Sequence, residues 1–396
     1  MRYFFLTLLS MLIFMGCSDQ NDQAIMSAFD AYCEQVANDA KPIALNPPMT
    51  TEEVDQYWNA FQQRAKDFGV ELYRETSFAV TSLFPATVTL DKEVVVISRG
   101  ARLIQYQQLK EDLDEITPEV AARRMGRLLG YSPQGINELL MKNTTFKTLT
   151  SFDVKEQVTH LYYEDLEEAV AFYKEVLGLK AITETQFAIG ADASIVLHAH
   201  DQDHPMGQPQ STAIALLTNQ LPQWYTYVQG LGVPIKYTYK PRVGGPHDGF
   251  VAIDPGGYLL EFEQFKQHPE NELFMAVLEN APRVNTAVDD LNFFGSITWT
   301  YHNDLLKMQS FYEETLGYVM VADQGWTKIF QTSPSGFIGL VDERRGMMDY
   351  ADDKAIEIEW RLEDQEGAER YFSQQGGWAS GGRWIEGPEK YRYLLR

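Results

Sequence analysis

The chain has 396 residues, too many for one ordinary core and enough for two or three domains. Its composition, 44% hydrophobic, 13% aromatic and 22% charged, is that of a folded globular protein and argues against a disordered chain. A formal charge of −23 opposes phosphate contacts, which speaks against nucleic acid and for a small-molecule partner, while two cysteines are too few for a disulfide framework or a thiolate zinc site.

The chain begins with a short positive start, Met1-Arg2, and an apolar run from Tyr3 to Met15 that is too short to span a bilayer comfortably. The run ends at Gly16-Cys17. This resembles a bacterial lipoprotein signal, although Phe14-Met15 stand where the usual lipobox has Leu and then Ala or Ser. The resemblance implies a signal peptide over 1–16, acylation of Cys17, a polar tether over 17–23 and a lipid anchor in the cell envelope, facing the periplasm or the outside. Ser18, not Asp, directly follows the cysteine, which by the usual sorting pattern of such lipoproteins implies the outer membrane if the host has one. Cleavage of an ordinary secreted protein near Gly16 is the alternative.

Residues 24–150 read as a small α/β domain that shares none of the motifs named below. Thr50 and Glu53 have capping-box spacing before a helix that ends at Gly69. Strands are expected over Phe78–Leu83 and Glu93–Ser98, and helices start at Thr117-Pro118 and Ser132-Pro133.

Beyond residue 150 the sequence repeats itself. Asp165-Leu166 to Phe172-Tyr173 to Leu177-Gly178 returns as Asp304-Leu305 to Phe311-Tyr312 to Leu316-Gly317. In each copy an aspartate caps a helix with an apolar face, a glycine ends it, a strand precedes it and short strands follow. A second strand–helix–strand group completes each copy, so that two βαβββ halves make one module. The modules span 155–267 and 293–396.

His160 to Leu179, followed by Asp254-Pro255-Gly256-Gly257-Tyr258-Leu259-Leu260-Glu261, resembles the vicinal oxygen chelate superfamily of glyoxalase I, bleomycin-resistance proteins and extradiol dioxygenases. The resemblance implies an α+β fold in which tandem βαβββ modules curl into cups, preceded here by the separate α/β domain. It also implies one divalent ion per working cup, held by residues from the first and last strand of each half.

Carried over residue by residue, Glu261 falls on the carboxylate position, as metal ligand or catalytic base. The first-strand and fourth-strand places fall on Val158 and Val196, with His160 and His198 two residues further on and on the same strand face. The remaining place is Ala213. His160, His198 and Glu261 are therefore the candidate ligands of one Fe, Mn, Ni or Zn ion in the first module, against the alternative that both histidines are structural. Tyr162, Tyr258 and His247 are candidate substrate contacts, and Trp224, Trp299 and Trp326 further candidate cup aromatics. In the second module the places fall on Ile297, Gly339 and Ile358, and aligning Gly387-Pro388 with Gly245-Pro246 leaves no closing strand. No metal is expected there, and pairing of the modules would cover the exposed edge.

Three functions stay open: a cup in the first module that binds a small organic molecule in the bleomycin-resistance manner, a metal-dependent lyase, isomerase or extradiol-type dioxygenase, and an envelope interaction protein working through residues 24–150.

Overall fold

The computed structural model describes residues 22–284, 287–288, 290–375 and 384–396. Cys17, the signal segment and Gly376-Gly377 lie outside the described residues. The chain divides into two units, Met1–Phe146 and Lys147–Arg396.

The first unit contains helix α1 (22–37), strand β1 (Ile43–Leu45), α2 (Thr51–Phe68), β2 (Glu71–Glu75), β3 (Val94–Ser98), α3 (Arg102–Asp112), α4 (Pro118–Leu128) and α5 (Pro133–Asn143). The strands form an antiparallel sheet in the order β1-β3-β2. Alternation along β3 sends Val95 and Ile97 to a core with Phe29 and Phe61, and Val96 to another with Tyr106 and Met125. The capping box at Thr50 and the left-handed Gly69 bound α2 as expected. Phe78–Leu83, expected as a strand, is not one. There the N–H of Ala79 donates to the Tyr106 hydroxyl at 3.3 Å, so this stretch packs as irregular chain, and β2 takes the edge of the sheet.

The second unit is built from four similar halves. The first comprises β4 (Val154–Tyr163), α6 (Leu166–Ala171), β5 (Gln186–Ala188) and β6 (Ala193–Ala199). The second comprises β7 (Thr212–Leu217), α7 (Leu221–Gly230), β8 (Ile235–Tyr237), β9 (His247–Ile253) and β10 (Leu259–Phe265), and α8 (Glu272–Asn280) follows it. The third comprises β11 (Gly295–His302), α9 (Leu305–Ser310), β12 (Val319–Asp323), β13 (Thr327–Gln331) and β14 (Gly336–Asp342). The fourth comprises β15 (Ile356–Leu362), α10 (Gln365–Gln374), β16 (Trp384–Glu386) and β17 (Arg392–Leu395). Asp165 and Asp304 cap α6 and α9 by accepting from the N–H of Glu168 at 2.9 Å and of Lys307 at 3.0 Å.

The halves do not close within each sequence repeat. Among the described residues, one sheet runs β12-β13-β14-β11-β7-β10-β9-β8 and the other β16-β17-β15-β4-β6-β5. The second half therefore joins the third along β7 and β11, and the fourth joins the first along β15 and β4, both antiparallel. This corrects the expectation of one cup inside 155–267. The physical reason lies in the cross-strand pairs. Ala213 and Ala215 face Trp299 and Ile297 across one seam, small against large, whereas His160 and Val158 face Glu357 and Glu359 across the other. Closing each repeat on itself would set Glu357 and Glu359 against Trp299 and Ile297 and take from them His160, His204 and Tyr162, which lie on the first repeat.

A closing strand in the fourth half is also present, contrary to the sequence expectation. β17 runs parallel to β15 and antiparallel to β16, as β10 runs parallel to β7 and antiparallel to β9. Pro388 thus matches Pro255, not Pro246. Lys390 takes the positive φ of 62° where Gly257 has 85°, and Tyr391 stands where Tyr258 stands. Leu394 opposite Glu359 matches Glu261 opposite Ala215, so the missing carboxylate hid the strand.

These two tyrosines tie the sheets together. The Tyr258 hydroxyl, from the end of the second half, accepts from the N–H of Tyr162 at 2.9 Å and donates to the carbonyl of Ala355 at 2.6 Å. The Tyr391 hydroxyl does the same with Tyr301 at 2.8 Å and Ser211 at 2.6 Å. Both rings are buried, so removing either hydroxyl strands one N–H and one carbonyl. Tyr258→Phe and Tyr391→Phe are each expected to cost about 1–3 kcal/mol in urea unfolding, and an unchanged midpoint for both would show that these bonds do not hold the sheets.

Candidate binding site

The two cups share a frame and differ in lining. On the β4–β15 sheet the inward positions carry charge. The His160 Nδ1 and His198 Nε2 atoms are hydrogen-bonded at 2.8 Å, and His160 Nε2 lies 3.3 Å from Glu359. Arg361 and Arg396 hold the same carboxylate at 2.9 and 3.0 Å. The Tyr162 hydroxyl donates to Glu357 at 2.9 Å, and His204, from the connection between β6 and β7, stacks on the Tyr162 ring at 3.7 Å with Nε2 at 3.4 Å from Glu357.

These contacts set the protonation states. Burial alone would raise Glu357, but the hydrogen bonds from His204 and Tyr162 outweigh it and hold the carboxyl at about 2. Burial likewise opposes the His204 cation, yet Glu357 raises that imidazole above its ordinary value. His198 has no carboxylate of its own, so burial, and then the field of His160, bring it down to about 4.

The β7–β11 sheet holds an apolar cup. Helix α8 packs Phe274 against Phe265 and Phe337 at one end. A cavity of about 460 Å³ remains, lined by Trp299, Tyr301, Trp326, Phe265, Glu261 and Glu263 among others. The indole of Trp299 lies over Gly339, where an added Cβ would collide with it. Gly249 lies opposite Glu263 across the β9–β10 pair, and an added Cβ there would meet the Glu263 side chain at 3.3 Å. Burial pushes both carboxyls up, and Glu261 adds to the rise at Glu263.

The structure therefore brings His160, His198 and Tyr162 together but places Glu261 on the other sheet, so the three candidate ligands do not converge. His247 begins β9 and lines the cavity with Nε2 3.8 Å from Glu263. Tyr258 is a buried tie between sheets, and Trp224 is core, stacked on Phe293 at 4.4 Å. Trp299 and Trp326 do face the cavity. Glu263, Tyr301, Glu357, Glu359 and His204 went unnoticed in sequence. For Glu263 a signal existed, since Glu261-Phe262-Glu263 on a strand puts both carboxyls on one face.

The donor sets decide whether a divalent ion fits. In the β7–β11 cup the four ligand places are Ile297, Gly339, Ala213 and Glu261, with Trp299 covering the Gly339 place. In the β4–β15 cup they are Val158, Val196, Glu357 and Leu394. The register makes Glu357, not Ile358, the equivalent of Ala213, and Ile358 faces the core behind the sheet. At these four places each cup offers one carboxylate, and no group of three His, Cys, Asp or Glu among the described residues is arranged to hold a metal ion. The residues present do not fit the ion.

The low value of His198 gives a signed pH dependence. Its folded pKa lies below the unfolded one, so stability is intact above the ordinary histidine range and falls as pH drops towards about 4. Between about pH 7 and about pH 4.5, His198→Gln is expected to lose about 1–3 kcal/mol less stability than the native chain in urea unfolding. Parallel losses in the two proteins would refute this.

Comparison with known proteins agrees with the sequence resemblance. Residues 156–262 match the family described as Glyoxalase/Bleomycin resistance protein/Dioxygenase superfamily. No curated protein matches the chain. Among solved structures, a proposed dioxygenase from Bacillus subtilis is 16% identical, covering 61% of this chain and 85% of that one at a TM-score of 0.42. Glyoxalase I from Zea mays is 13% identical over 61% of this chain and 91% of that one, at 0.40. A glyoxalase/bleomycin resistance protein/dioxygenase from Alicyclobacillus acidocaldarius is 22% identical over 28% and 90%, at 0.21. The family assignment rests on the sequence match, which assigns residues 156–262 to a domain of the glyoxalase/bleomycin resistance protein/dioxygenase superfamily.

Proposed function

We propose that the β7–β11 cup binds a small organic molecule through its side chains, with no metal in the site. The observation that carries this reading is the cavity itself, about 460 Å³, walled by Trp299, Tyr301 and Trp326, with carboxyls in its wall. Its size and its mix of aromatic wall and few polar groups are those of small-molecule sites. In the β4–β15 cup Glu357 is met by Tyr162 and His204, and Glu359 by His160, Arg361 and Arg396. A metal-dependent lyase, isomerase or dioxygenase would have a single carboxylate at the four ligand places of each cup to rest on.

Trp299 and Trp326 supply the readout. A panel of small aromatic probes is expected to quench their fluorescence, with Trp326→Ala weakening the best probe about tenfold and EDTA leaving its affinity unchanged. Affinity that vanishes with EDTA and returns with one of Fe, Mn, Ni or Zn would overturn the metal-free reading.

The same proposal places the chain at the cell envelope, anchored through acylated Cys17 and leaning towards the outer membrane. Its support is the run Tyr3 to Met15 before Gly16-Cys17 and the polar residues after it. Cys17→Ser is expected to abolish labelling by radioactive palmitate and move the protein to the soluble fraction; membrane retention of that variant would count against the anchor.

A further inference from the structure

The cavity holds two acidic groups for which the protein supplies no close counter-charge. Glu261 and Glu263 stand two apart on β10 and open into the same space. Glu263 is 5% exposed, its Oε2 has no hydrogen-bond partner, and its Oε1 has only His247 at 3.8 Å. Glu261 is half-buried, its carboxyl is raised by burial, and no cation stands within ion-pair distance of it among the described residues. Two other buried polar atoms lining the same cavity, His247 Nδ1 and Trp299 Nε1, are also without partners.

The remaining charged and titratable groups around the carboxyls do not supply the missing charge. Tyr301, from β11, is itself raised by burial and then by Glu261. Asp248 is held by Lys266 at 2.9 Å. Lys240, Arg242 and Arg345 are cationic, but they are exposed, Arg345 lies over Trp326 at 4.9 Å, and water screens their fields. Buried carboxyls feel a nearby charge far more strongly than these exposed groups can exert one.

The geometry points to an organic ammonium ion, an amine or quaternary ammonium on a compact aromatic or aliphatic body, as the ligand class of this cavity. This rests on the binding reading above and narrows it. The cation would stand against Glu263 and Glu261 while the faces of Trp299, Tyr301 and Trp326 take its apolar body and share its charge. The carboxyls would then ionise, releasing protons as the ligand enters. The chain's charge of −23 favours the approach of cations over anions.

Four probes of one shape test the inference on the full-length protein by calorimetry: benzylamine, benzyltrimethylammonium, benzyl alcohol and benzoate. Both cations are expected to bind at least about tenfold more tightly than the alcohol. Because the folded carboxyls titrate above their ordinary range, benzyltrimethylammonium affinity is expected to rise about tenfold from about pH 5 to about pH 8, with proton release seen as buffer-dependent heat. Glu263→Gln is expected to remove the preference and the pH dependence while leaving benzyl alcohol affinity within about twofold; Glu261→Gln, checked by circular dichroism, gives a second variant. Tightest binding by benzoate or benzyl alcohol, or a cation preference that survives both substitutions, overturns the ammonium inference and leaves the cavity reading standing. Failure of all four probes, and of the wider aromatic panel, overturns both.

Discussion

The second unit depends on how four first strands choose partners. Each of β4, β7, β11 and β15 presents the same hydrogen-bonding edge, so backbone geometry alone permits several pairings. Side chains break the tie. Alanines accept Trp299 and Ile297 across one seam, and histidine and valine meet two glutamates across the other. Charge is thereby gathered on one sheet with its partners, and apolar bulk on the other. The tyrosine ties then cross from sheet to sheet and hydrogen-bond the two cups to each other.

One frame has in consequence two different interiors. In the β4–β15 cup each glutamate is met by histidine, tyrosine or arginine. In the β7–β11 cup the equivalents of His160, Val196 and His198 are Trp299, Gly339 and Val341, so the polar network is replaced by one indole lying over a glycine. Glu261 and Glu263 stand beside it, on the strand that carries the Asp254-to-Glu261 signature. An aromatic wall beside unbalanced acid is a different chemical environment from a metal centre, although both use the same closing-strand position.

Local structure was legible in the sequence wherever it rests on local chemistry. The helix at Thr50, the paired helices at Asp165 and Asp304, and the strands around them follow from caps, glycines and apolar spacing, and all are found. The turn Asp254-Pro255-Gly256-Gly257-Tyr258 was legible as a signature, but its role was not. It buries Asp254 under the hydroxyls of Tyr163 and Tyr173 and so aims Tyr258 at the other sheet. Partner choice between equivalent strands was not legible, because strand parity places His160, His198 and Glu261 on concave faces without saying whether those faces belong to one cup. The closing strand β17 escaped notice because Gly387 and Leu394 stand where the signature has Asp and Glu. The expected strand Phe78–Leu83 is absent: its β-type residues pair with no neighbouring strand, and the N–H of Ala79 donates to Tyr106 instead.

The exchange of halves also bears on how the unit assembles. Two separate copies of a βαβββ pair would have to meet by diffusion to form these sheets, and the product would be an ordinary symmetric dimer. Here the segment from Phe265 to Gly295, which contains α8, joins the copies covalently. A tether of this length converts the encounter into an intramolecular one with an effective concentration on the order of millimolar. Cup formation is then independent of how much protein is present, and the two interiors are free to diverge, because a single gene encodes both sides of each seam.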